Sequence, residues 1–510
     1  MEKLQIESKD RGLANATFCV IFANTIFFFL NFGKGVLLAN YIGAGTDMDA
    51  YLVVESIPAI LIALLSGALI AGVIPELSKI KNTKEGLNLS NSILNITIIS
   101  ASFMVFILII SSRFIIPTFF ELENSKIAIK LSYFLFPFLI TGLAFSVLKS
   151  IANTHKIFLL PALSPSIYIL VIILCVILLS QRLGVISLGI GVLVGSILQV
   201  LFIFSELKKH GFRYKPYVDF HNPHLSKTAR MTAPLVVGSA LANFNVFVDR
   251  VMASRLSAGS VSALHYGYIP LTFIISFFTV AISTSILPYF SEYATSNNIK
   301  KIKSTFMSGV NLSIFITLPV AVLFWSIATP LVKIVLERGA FTSNNTAAVS
   351  TALRLYALGL PFIAINAIIV RVYHALQKNI VIMLVAIPYV VFNILFNWIL
   401  SKPLGHGGIA LSTSIDYFIV VSVLFVILNS QIGGLFAKRH LISCCKTILC
   451  TCIMAFSIYA FLYYSKEFAI VTSLLLSIII GLAIYWLTAL LIRHGEIKNL
   501  CNISRKILNR

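Results

Sequence analysis

Fourteen apolar stretches, each long enough to cross a lipid bilayer, fill most of this 510-residue chain. About 20 apolar residues in a helix span the hydrocarbon core of a membrane. Runs such as 102–110, 167–179 and 471–490 contain no charged residue, and the mean hydropathy of the chain is +0.96. A content of 58% hydrophobic residues is too high for a soluble domain. The sequence therefore predicts an all-α polytopic membrane protein with about 14 transmembrane helices.

Lysine and arginine residues concentrate in the segments on one side of the predicted spans. With the N-terminus inside, these basic inside segments lie at 79–84, 208–230, 300–303, 438–446 and 493–510. The positive-inside rule then places both ends of the chain in the cytoplasm, and the even number of spans agrees. Topology and contact with anionic lipid headgroups account for the net charge of +21. We therefore expect membrane lipids, and no nucleic acid, as partners of these charges.

A duplication within the chain gives the strongest sign of its organisation. Residues 38–45 match 252–259, and the proline pairs that follow them, at 58 and 75 and at 270 and 288, also match. Each copy is an outward span, a short turn that ends in glycine, and a second span with proline near both ends. Because both copies run outward first, the repeat is parallel, as in transporters whose substrate site lies between two lobes.

The duplication predicts two six-helix lobes, an N-lobe over 1–205 and a C-lobe over 231–430. A basic cytoplasmic linker, 206–230, would join the two lobes. The region 431–510, with two more spans and a basic cytoplasmic tail, lies outside the repeat. Helices of this kind commonly pad a lobe or border a groove that faces the lipid.

Charged side chains inside the predicted spans are candidates for function, because each costs on the order of 2.5–3.5 kcal/mol at the bilayer centre. Lys34 stands between two glycines that leave room for a ligand, which favours a cation for an anionic headgroup over a lysine that only reaches the interface. The others have structural alternatives, such as a cap of its own helix for Asp49 or anchoring at the membrane surface for Arg371. The candidates for substrate binding are Lys34, Asp49, Glu55, Arg250, Arg354 and Arg371.

Asn393 and Asn397 are spaced i and i+4, so both amides lie on one face of the eleventh span. Thr413 begins the facing span. With a carboxylate such as Asp249, these oxygens would suit a hard monovalent cation such as Na⁺. The alternative is hydrogen bonding between helices, which is common for Asn and Thr in membranes. Asp416, a lone acid on the same span as Thr413, is expected to pair with a neighbouring group.

The sequence contains no motif of a known enzyme class. It has no HExxH, GxSxG, Walker or CxxC pattern and no pair of acids in an outside segment. The outside segments are also too short to form a catalytic domain. We therefore predict a protein that is not an enzyme and that needs no cofactor, apart from a possible coupling Na⁺.

Short motifs distributed along nearly the whole chain occur at 33–39, 43–45, 49–51, 57–58, 74–77, 248–254, 259–264, 286–288, 337–342, 371–376 and 405–412. Together they resemble the MurJ (MviN) family of lipid II flippases, within the MOP flippase superfamily. The resemblance implies two six-helix lobes around a V-shaped cavity, with the last two spans shaping a groove for a polyprenyl tail. It also implies transport of the lipid-linked peptidoglycan precursor from the inner to the outer leaflet of the bacterial inner membrane.

The resemblance also assigns roles to single residues. Lys34 stands where the family has an essential cavity arginine, and Asp49 matches its acid at the start of the second span. The sodium site proposed for the family falls on Asp249, Asn393, Asn397 and Thr413. One acid of that site is an asparagine in this chain, which leaves a single carboxylate and implies weaker binding of Na⁺.

The chain departs from the family where most of the cavity cations stand. An arginine pair in the second span is replaced by Ile62 and Ala63, and an Asp-Arg pair in the eighth span reads Tyr268 and Ile269. A pyrophosphate must then be compensated by the cations that remain in the bundle, and a lysine cannot reproduce the bidentate grip of an arginine. This departure bears most on the identity of the substrate.

We predict a flippase for a polyprenyl-pyrophosphate-linked saccharide that works by alternating access, with lipid II as the first candidate substrate. One alternative substrate is a capsule, exopolysaccharide or O-antigen intermediate on the same carrier. A non-transporting scaffold for envelope synthesis would explain the lost cations, and a drug/cation antiporter would need more acids. The expected partners include the lipid-linked saccharide and the cell-wall synthesis machinery, and the expected location is the bacterial inner membrane.

Overall fold

A computed structural model describes residues 2–80, 83–435, 438–465 and 468–497. The described part is helical and contains no β-strand, so the predicted all-α fold is confirmed. A π-helical turn, Ile275–Thr279, lies between α9 and α10. The helices are α1 (Glu2–Tyr41), α2 (Thr46–Ile80), α3 (Lys84–Phe119), α4 (Ser125–Leu135), α5 (Phe138–Thr154), α6 (Leu159–Leu183), α7 (Ile186–Lys209), α8 (Pro223–Ser254), α9 (Ser260–Ile274), α10 (Val280–Thr295), α11 (Ile299–Leu336), α12 (Ser343–Ala357), α13 (Leu360–Ala375), α14 (Asn379–Leu404), α15 (His406–Ile432), α16 (Lys438–Tyr464) and α17 (Ile470–Leu491).

Twelve helical segments of the described chain are long and apolar enough to cross a membrane. A thirteenth is formed by α12 and α13, which are bent by 44° against each other. The remaining predicted span corresponds to α8, a continuous helix of 32 residues that is not in this apolar set. Residues 231–248 of this helix carry no charge, and part of this stretch lies outside the described side chains, so the span predicted there stays a prediction. The chain is a multi-pass membrane protein, with 12 to 13 spans supported by length and composition.

The chain divides into two compact units, and the boundary does not coincide with the predicted linker. Unit 1 is Met1–Ser262 with Arg338–Phe341, and unit 2 is Ala263–Glu337 with Thr342–Arg510. Helix α8, which opens the predicted C-lobe, therefore packs with α1–α7. The predicted lobes follow the sequence duplication rather than the packing, and they stay a prediction.

Unit 1 is held at one end by an ion cluster around Glu76, whose side chain is only 1% exposed. Its carboxylate lies 2.6 Å from Nζ of Lys79, 3.1 Å from Nδ1 of His224 and 3.4 Å from Nζ of Lys227. Asn222 caps α8 by accepting a hydrogen bond from the backbone N–H of His224, and Pro223 fits the first turn. These contacts fix the start of α8 against α2.

The middle of the predicted linker is fastened to unit 1. Residues 213–219, which we call the linker strap, lie along α3 without regular secondary structure. Asn91 and Asn95 of α3 donate side-chain hydrogen bonds of 2.9–3.0 Å to the strap. The acceptors are the backbone carbonyls of Arg213, Lys215 and Tyr217. Because a chain without secondary structure must still satisfy its backbone polar groups, these asparagines give the strap a defined path.

The described part of unit 2 contains two larger apolar cores and a small one around Ala321, and all of them include α11. One core joins α11 with α10, α13 and α15 around Phe306, Ile369 and Leu424. The other joins α11 with α16 and α17, where the hydroxyl of Tyr485 donates to the carbonyl of Phe315 at 2.7 Å. The last two spans thus pack against α11 in this unit.

The bend between α12 and α13 brings the backbone of α12–α13 close to α15. At the bend, a Cβ on Gly359 would stand 2.8 Å from Oγ of Ser414, so only glycine fits. The hydroxyl of Ser414 donates to the carbonyl of Leu355 at 2.7 Å. This close packing holds α15 against α12–α13 at the residue that follows Thr413, one of the predicted cation ligands.

Candidate functional site

Lys34 lies half-buried in α1 of unit 1, and a carboxylate of the neighbouring helix acts on its charge. Glu55 of α2 interacts electrostatically with Lys34 and also with Tyr168 of α6. No described atom lies within 4 Å of where a Cβ on Gly33 would stand, so there is open space one residue from Lys34. The ring of Tyr168 stacks on Phe138, with centroids 5.6 Å apart. These groups form a half-buried site with one cation, one anion and an aromatic wall.

Asp49 is buried, with 5% of its surface exposed, and its two oxygens bind the start of α9. Oδ2 accepts a 2.7 Å hydrogen bond from the backbone N–H of Gly259. Oδ1 accepts a 2.7 Å bond from the N–H of Ser262 and a further bond from the Ser262 hydroxyl. An acid at a helix N-terminus is favourable because it satisfies unpaired N–H groups and the helix dipole. Asp49 thus caps α9 and not its own helix, and its role in substrate binding stays a prediction.

Arg250 of α8 is the second cation of unit 1 inside the bundle. Its charge acts on Asp49, so the two side chains lie near each other. The guanidinium nitrogen Nη1 is buried and has no hydrogen-bond partner among the described residues. Leaving a buried charged donor unsatisfied is costly, and an anionic ligand would satisfy it. The preceding residue, Asp249, is half-buried in the same unit.

The two arginines predicted in unit 2 differ in their contacts. Arg354 of α12 binds α11: its Nε donates to the carbonyl of Trp325 at 3.3 Å and its Nη2 to the hydroxyl of Thr329 at 2.8 Å. Two of its five N–H donors are therefore used within the protein. Arg371, in α13, is half-buried and makes no hydrogen bond or ion pair with the described residues. Arg371 is thus the more available of the two for a ligand.

The predicted cation ligands of unit 2 lie between α14 and α15, together with Asp416. Asn393, Asn397 and Asp416 are at most 1% exposed. Nδ2 of Asn393 donates to Oδ2 of Asp416 at 2.9 Å, and Nδ2 of Asn397 donates to Oδ1 of Asn393 at 3.3 Å. The hydroxyl of Ser412 lies 3.5 Å from the Asn393 carbonyl, whereas that of Thr413 donates to its own helix, at Ile409. Of the predicted ligands, Asn393 and Asn397 are brought into contact.

This cluster suits a hard monovalent cation better than a transition metal. Within the described part of the chain, no group of three or more His, Cys, Asp or Glu side chains is gathered at one place. The cluster offers a carboxylate, two amide oxygens and a hydroxyl, and hard cations prefer oxygen ligands.

The positions where the family has further cavity cations carry no charge. Ile62 packs against Gly142 of α5, and Ala63 is exposed. One turn further on, the hydroxyls of Ser66 and Ser146 are 2.6 Å apart. Ile269 of α9 accepts a 2.6 Å bond from the Thr272 hydroxyl at its backbone carbonyl. Small polar and apolar groups therefore line these places.

Two contacts were missed by the sequence analysis. Tyr168 sits beside Glu55 but gives no signal in an apolar helix, because tyrosine is common there. Asn91 and Asn95 have the same i, i+4 spacing as the Asn393 pair and could have been found by it.

Comparison with known proteins gives one consistent family. The family described as lipid II flippase MurJ matches residues 38–479. A probable lipid II flippase MurJ of Borreliella burgdorferi is 25% identical over 445 residues, covering 86% of this chain and 87% of that protein. The lipid II flippase MurJ of Thermosipho africanus is 28% identical over 479 residues, covering 91% and 94%.

Solved structures agree with the sequence comparisons. The structure described as lipid II flippase MurJ in an inward closed conformation matches with a TM-score of 0.81 and 28% identity, covering 93% of this chain and 98% of that one. An inward-facing MATE family multidrug transporter of the MOP superfamily shares the fold, with a TM-score of 0.68 at 14% identity over 82% of this chain and 98% of that one. The chain therefore belongs to the MurJ family of lipid II flippases.

Proposed function

We propose that this protein carries lipid II from the inner to the outer leaflet of the bacterial inner membrane. The observation that carries the proposal is the match to the MurJ structure over 93% of the chain. Lipid II has a pyrophosphate, and this chain keeps Lys34 and Arg250 inside unit 1, with a buried guanidinium nitrogen that lacks an acceptor among the described residues. A pyrophosphate oxygen is the type of acceptor that such a nitrogen binds.

The transport cycle would follow alternating access. Related folds of the MOP superfamily are known in inward-facing and outward-facing conformations, which supports such a cycle. The headgroup would enter near Lys34 while the polyprenyl tail stays in the lipid, beside the last two spans. A Na⁺ gradient or the membrane potential would reset the cycle, since one charge crossing about 100 mV is worth roughly 2.3 kcal/mol. Both chain ends would lie in the cytoplasm, and the cell-wall synthesis machinery would receive the product.

Rescue of cells depleted of their own lipid II flippase tests the function. We expect this chain to restore growth and to prevent accumulation of lipid-linked precursor. Lys34→Ala should abolish rescue, because it removes a cation that the headgroup needs, whereas Lys34→Arg should retain it. Lys130→Ala, on the exposed side of α4, is the matched control and should rescue like the parent. Normal membrane insertion without rescue by the parent chain would contradict the lipid II assignment.

A second substrate is favoured by one specific observation, the uncharged residues at Ile62, Ala63 and Ile269. A capsule, exopolysaccharide or O-antigen intermediate on the same polyprenyl pyrophosphate would need the same two cations but a different saccharide pocket. Rescue of a strain that lacks the flippase for such an intermediate, without rescue of the lipid II strain, would favour this reading.

A further inference from the structure

We propose that the linker strap, residues 213–219, docks on anionic phospholipid headgroups at the membrane surface on the predicted cytoplasmic side. The basic charge of the sequence predicts only a general attraction to lipid, whereas the structure places this one segment at the level of the headgroups. The inference goes beyond the proposed function, because it concerns how unit 1 meets the membrane and holds for any transported lipid.

Helix α3, which carries the strap, is longer than the membrane is thick. It has 36 residues and is therefore about 54 Å long, against about 30 Å for the hydrocarbon core. Large apolar side chains with more than half of their surface exposed begin at Ile99 and continue at Phe103, Phe106 and Phe114. Exposed apolar side chains in a continuous patch mark a surface that faces lipid. The helix thus enters the lipid near Ile99, and residues 84–98 project from it.

The strap covers the projecting part of the face that meets lipid further along α3. Ser92, Asn95 and Ile99 are three and four residues apart, so they share this face. The hydroxyl of Ser92 accepts a 3.2 Å hydrogen bond from the backbone N–H of Asp219, and Nδ2 of Asn95 donates to two backbone carbonyls of the strap. Asn95 is buried under the strap, whereas Ile99 is exposed.

The distance along α3 places the strap at the level of the headgroups. Asn95 and Ile99 are one helical turn apart, which is about 6 Å along the helix axis. The polar headgroup layer is roughly 5–8 Å thick on each side of the hydrocarbon core. The part of the strap that is bound to Asn95 therefore lies within this layer, on the side of α3 that faces lipid.

The exposed side chains of the strap fit this layer chemically. Tyr214 and Tyr217 are exposed, and tyrosine is enriched where a membrane meets water. Arg213 and Lys215 are also exposed, and their side chains make no hydrogen bond or ion pair with the described residues. The one acid of the strap, Asp219, accepts a 3.0 Å hydrogen bond from the backbone N–H of the residue two positions later. Two aromatic rings and two available cations thus face the headgroups.

Quenching of tryptophan fluorescence by phosphatidylcholine brominated near the headgroup tests the position of the strap. Full-length protein with Tyr217→Trp is reconstituted in vesicles, and the emission of the parent chain, which has three tryptophans, is subtracted. We expect the added tryptophan to be quenched. Because brominated lipid is present in both leaflets, the orientation of the inserted protein does not matter.

His210→Trp is the matched control for this measurement. His210 is exposed, and it lines a cavity together with Lys84 and Gly86 in the first turn of α3. Gly86 lies nine residues before Asn95, about 13 Å further from the lipid along the helix. A tryptophan at position 210 should therefore escape quenching. Equal quenching at both positions, or none in Tyr217→Trp, would overturn the proposal.

A second measurement separates anionic lipid from lipid in general. At equal mole fraction, brominated phosphatidylglycerol should quench Tyr217→Trp about twofold more than brominated phosphatidylcholine, since each basic residue near the surface enriches anionic lipid about fivefold. Arg213→Gln with Lys215→Gln should remove the difference. The bonds of α3 to these two residues use their backbone groups, so the path of the strap is kept. Lys208→Gln with Lys209→Gln, the same charge change at the end of α7, should keep the difference.

Salt gives an independent check on the same protein. At about 1 M NaCl, where the screening length falls to about 3 Å, the preference for phosphatidylglycerol should disappear while the quenching itself remains. A preference that is absent at low salt, or that survives Arg213→Gln with Lys215→Gln, would overturn the proposal. Failure of the lipid II assignment looks different, because it leaves both quenching results unchanged while the chain does not rescue flippase-depleted cells.

Discussion

Two asparagine pairs with the same i, i+4 spacing do different things in the two units. In unit 1, Asn91 and Asn95 of α3 bind backbone groups of the linker strap, and both accept bonds from it as well. In unit 2, Asn393 of α14 donates to the carboxylate of Asp416, and Asn397 donates to the side-chain oxygen of Asn393. Backbone carbonyls are fixed and neutral, whereas a carboxylate can exchange its partner for an ion.

The i, i+4 spacing of two asparagines identifies a polar face of a helix. The group that this face contacts determines what the pair does. An asparagine pair that hydrogen-bonds to backbone groups holds a chain segment in place, and its donors and acceptors are already used. A pair that binds a buried acid shares a charge that has to be balanced. We therefore expect the unit 1 pair to matter for stability under all salts and the unit 2 pair to matter according to the cation present.

The largest loss of stability should come from removing the side chain of Asn95 in unit 1. Asn95→Ala loses two donated bonds and one accepted bond, which together contribute about 2–3 kcal/mol to stability. The unfolding temperature should fall equally in NaCl and choline chloride, and trypsin should cut faster after the strap residue Arg213. Asn153→Ala is the control, because the Asn153 side chain makes no hydrogen bond with described residues. A loss of stability seen in only one of the two salts would contradict the difference drawn between the two asparagine pairs.

A smaller difference in stability should appear when one asparagine of each pair is replaced by aspartate. Asn91→Asp replaces an amide that donates to the carbonyls of Leu87 and Arg213 by a carboxylate that faces them, at a cost of about 1–2 kcal/mol. Asn397→Asp should cause no comparable loss in NaCl, because Na⁺ balances the new charge. Thermal unfolding of both variants in the two salts measures this. Equal losses for both variants in NaCl would mean that the two pairs are alike.

The smallest effect should come from the edge of the strap. Tyr214→Phe removes one 2.9 Å bond to Oδ1 of Asn95 from a tyrosine that is 48% exposed. Water competes for such a bond, so we expect a loss of about 0.5–1 kcal/mol in both salts. The measurement is the unfolding temperature, compared with Asn95→Ala. A loss of stability as large as that of Asn95→Ala would mean that Tyr214, and not the asparagine pair, holds the linker strap on α3.

Apolar runs were enough to predict the helical membrane fold, because each span satisfies its backbone within itself. The span predicted at α8 stays a prediction, because part of that helix lies outside the described side chains. The linker was also predicted from composition as a simple connection. Its attachment to α3 joins residues far apart in the chain, and no local pattern carries that information.

The candidate site was predictable in part for the same reason. The spacing of Asn393 and Asn397 gives a common face, and the structure brings the two amides into contact. Asp416, the acid that Asn393 contacts, lies on another helix, and only the packing of the two helices brings it there. Asp49 is the opposite case. Its place near a helix start favours a cap of its own helix, which is wrong, because Asp49 caps α9, more than 200 residues later in the chain.

Reconstitution in liposomes tests the central claim most directly. Lipid II with a label on its headgroup, placed in the inner leaflet, becomes accessible to a reagent that cannot cross the membrane only after it is flipped. We predict that the parent chain exposes the label, that Lys34→Ala slows exposure to the rate of protein-free vesicles, and that Lys130→Ala behaves like the parent. Exposure at the protein-free rate with the parent chain, correctly inserted, would contradict the account.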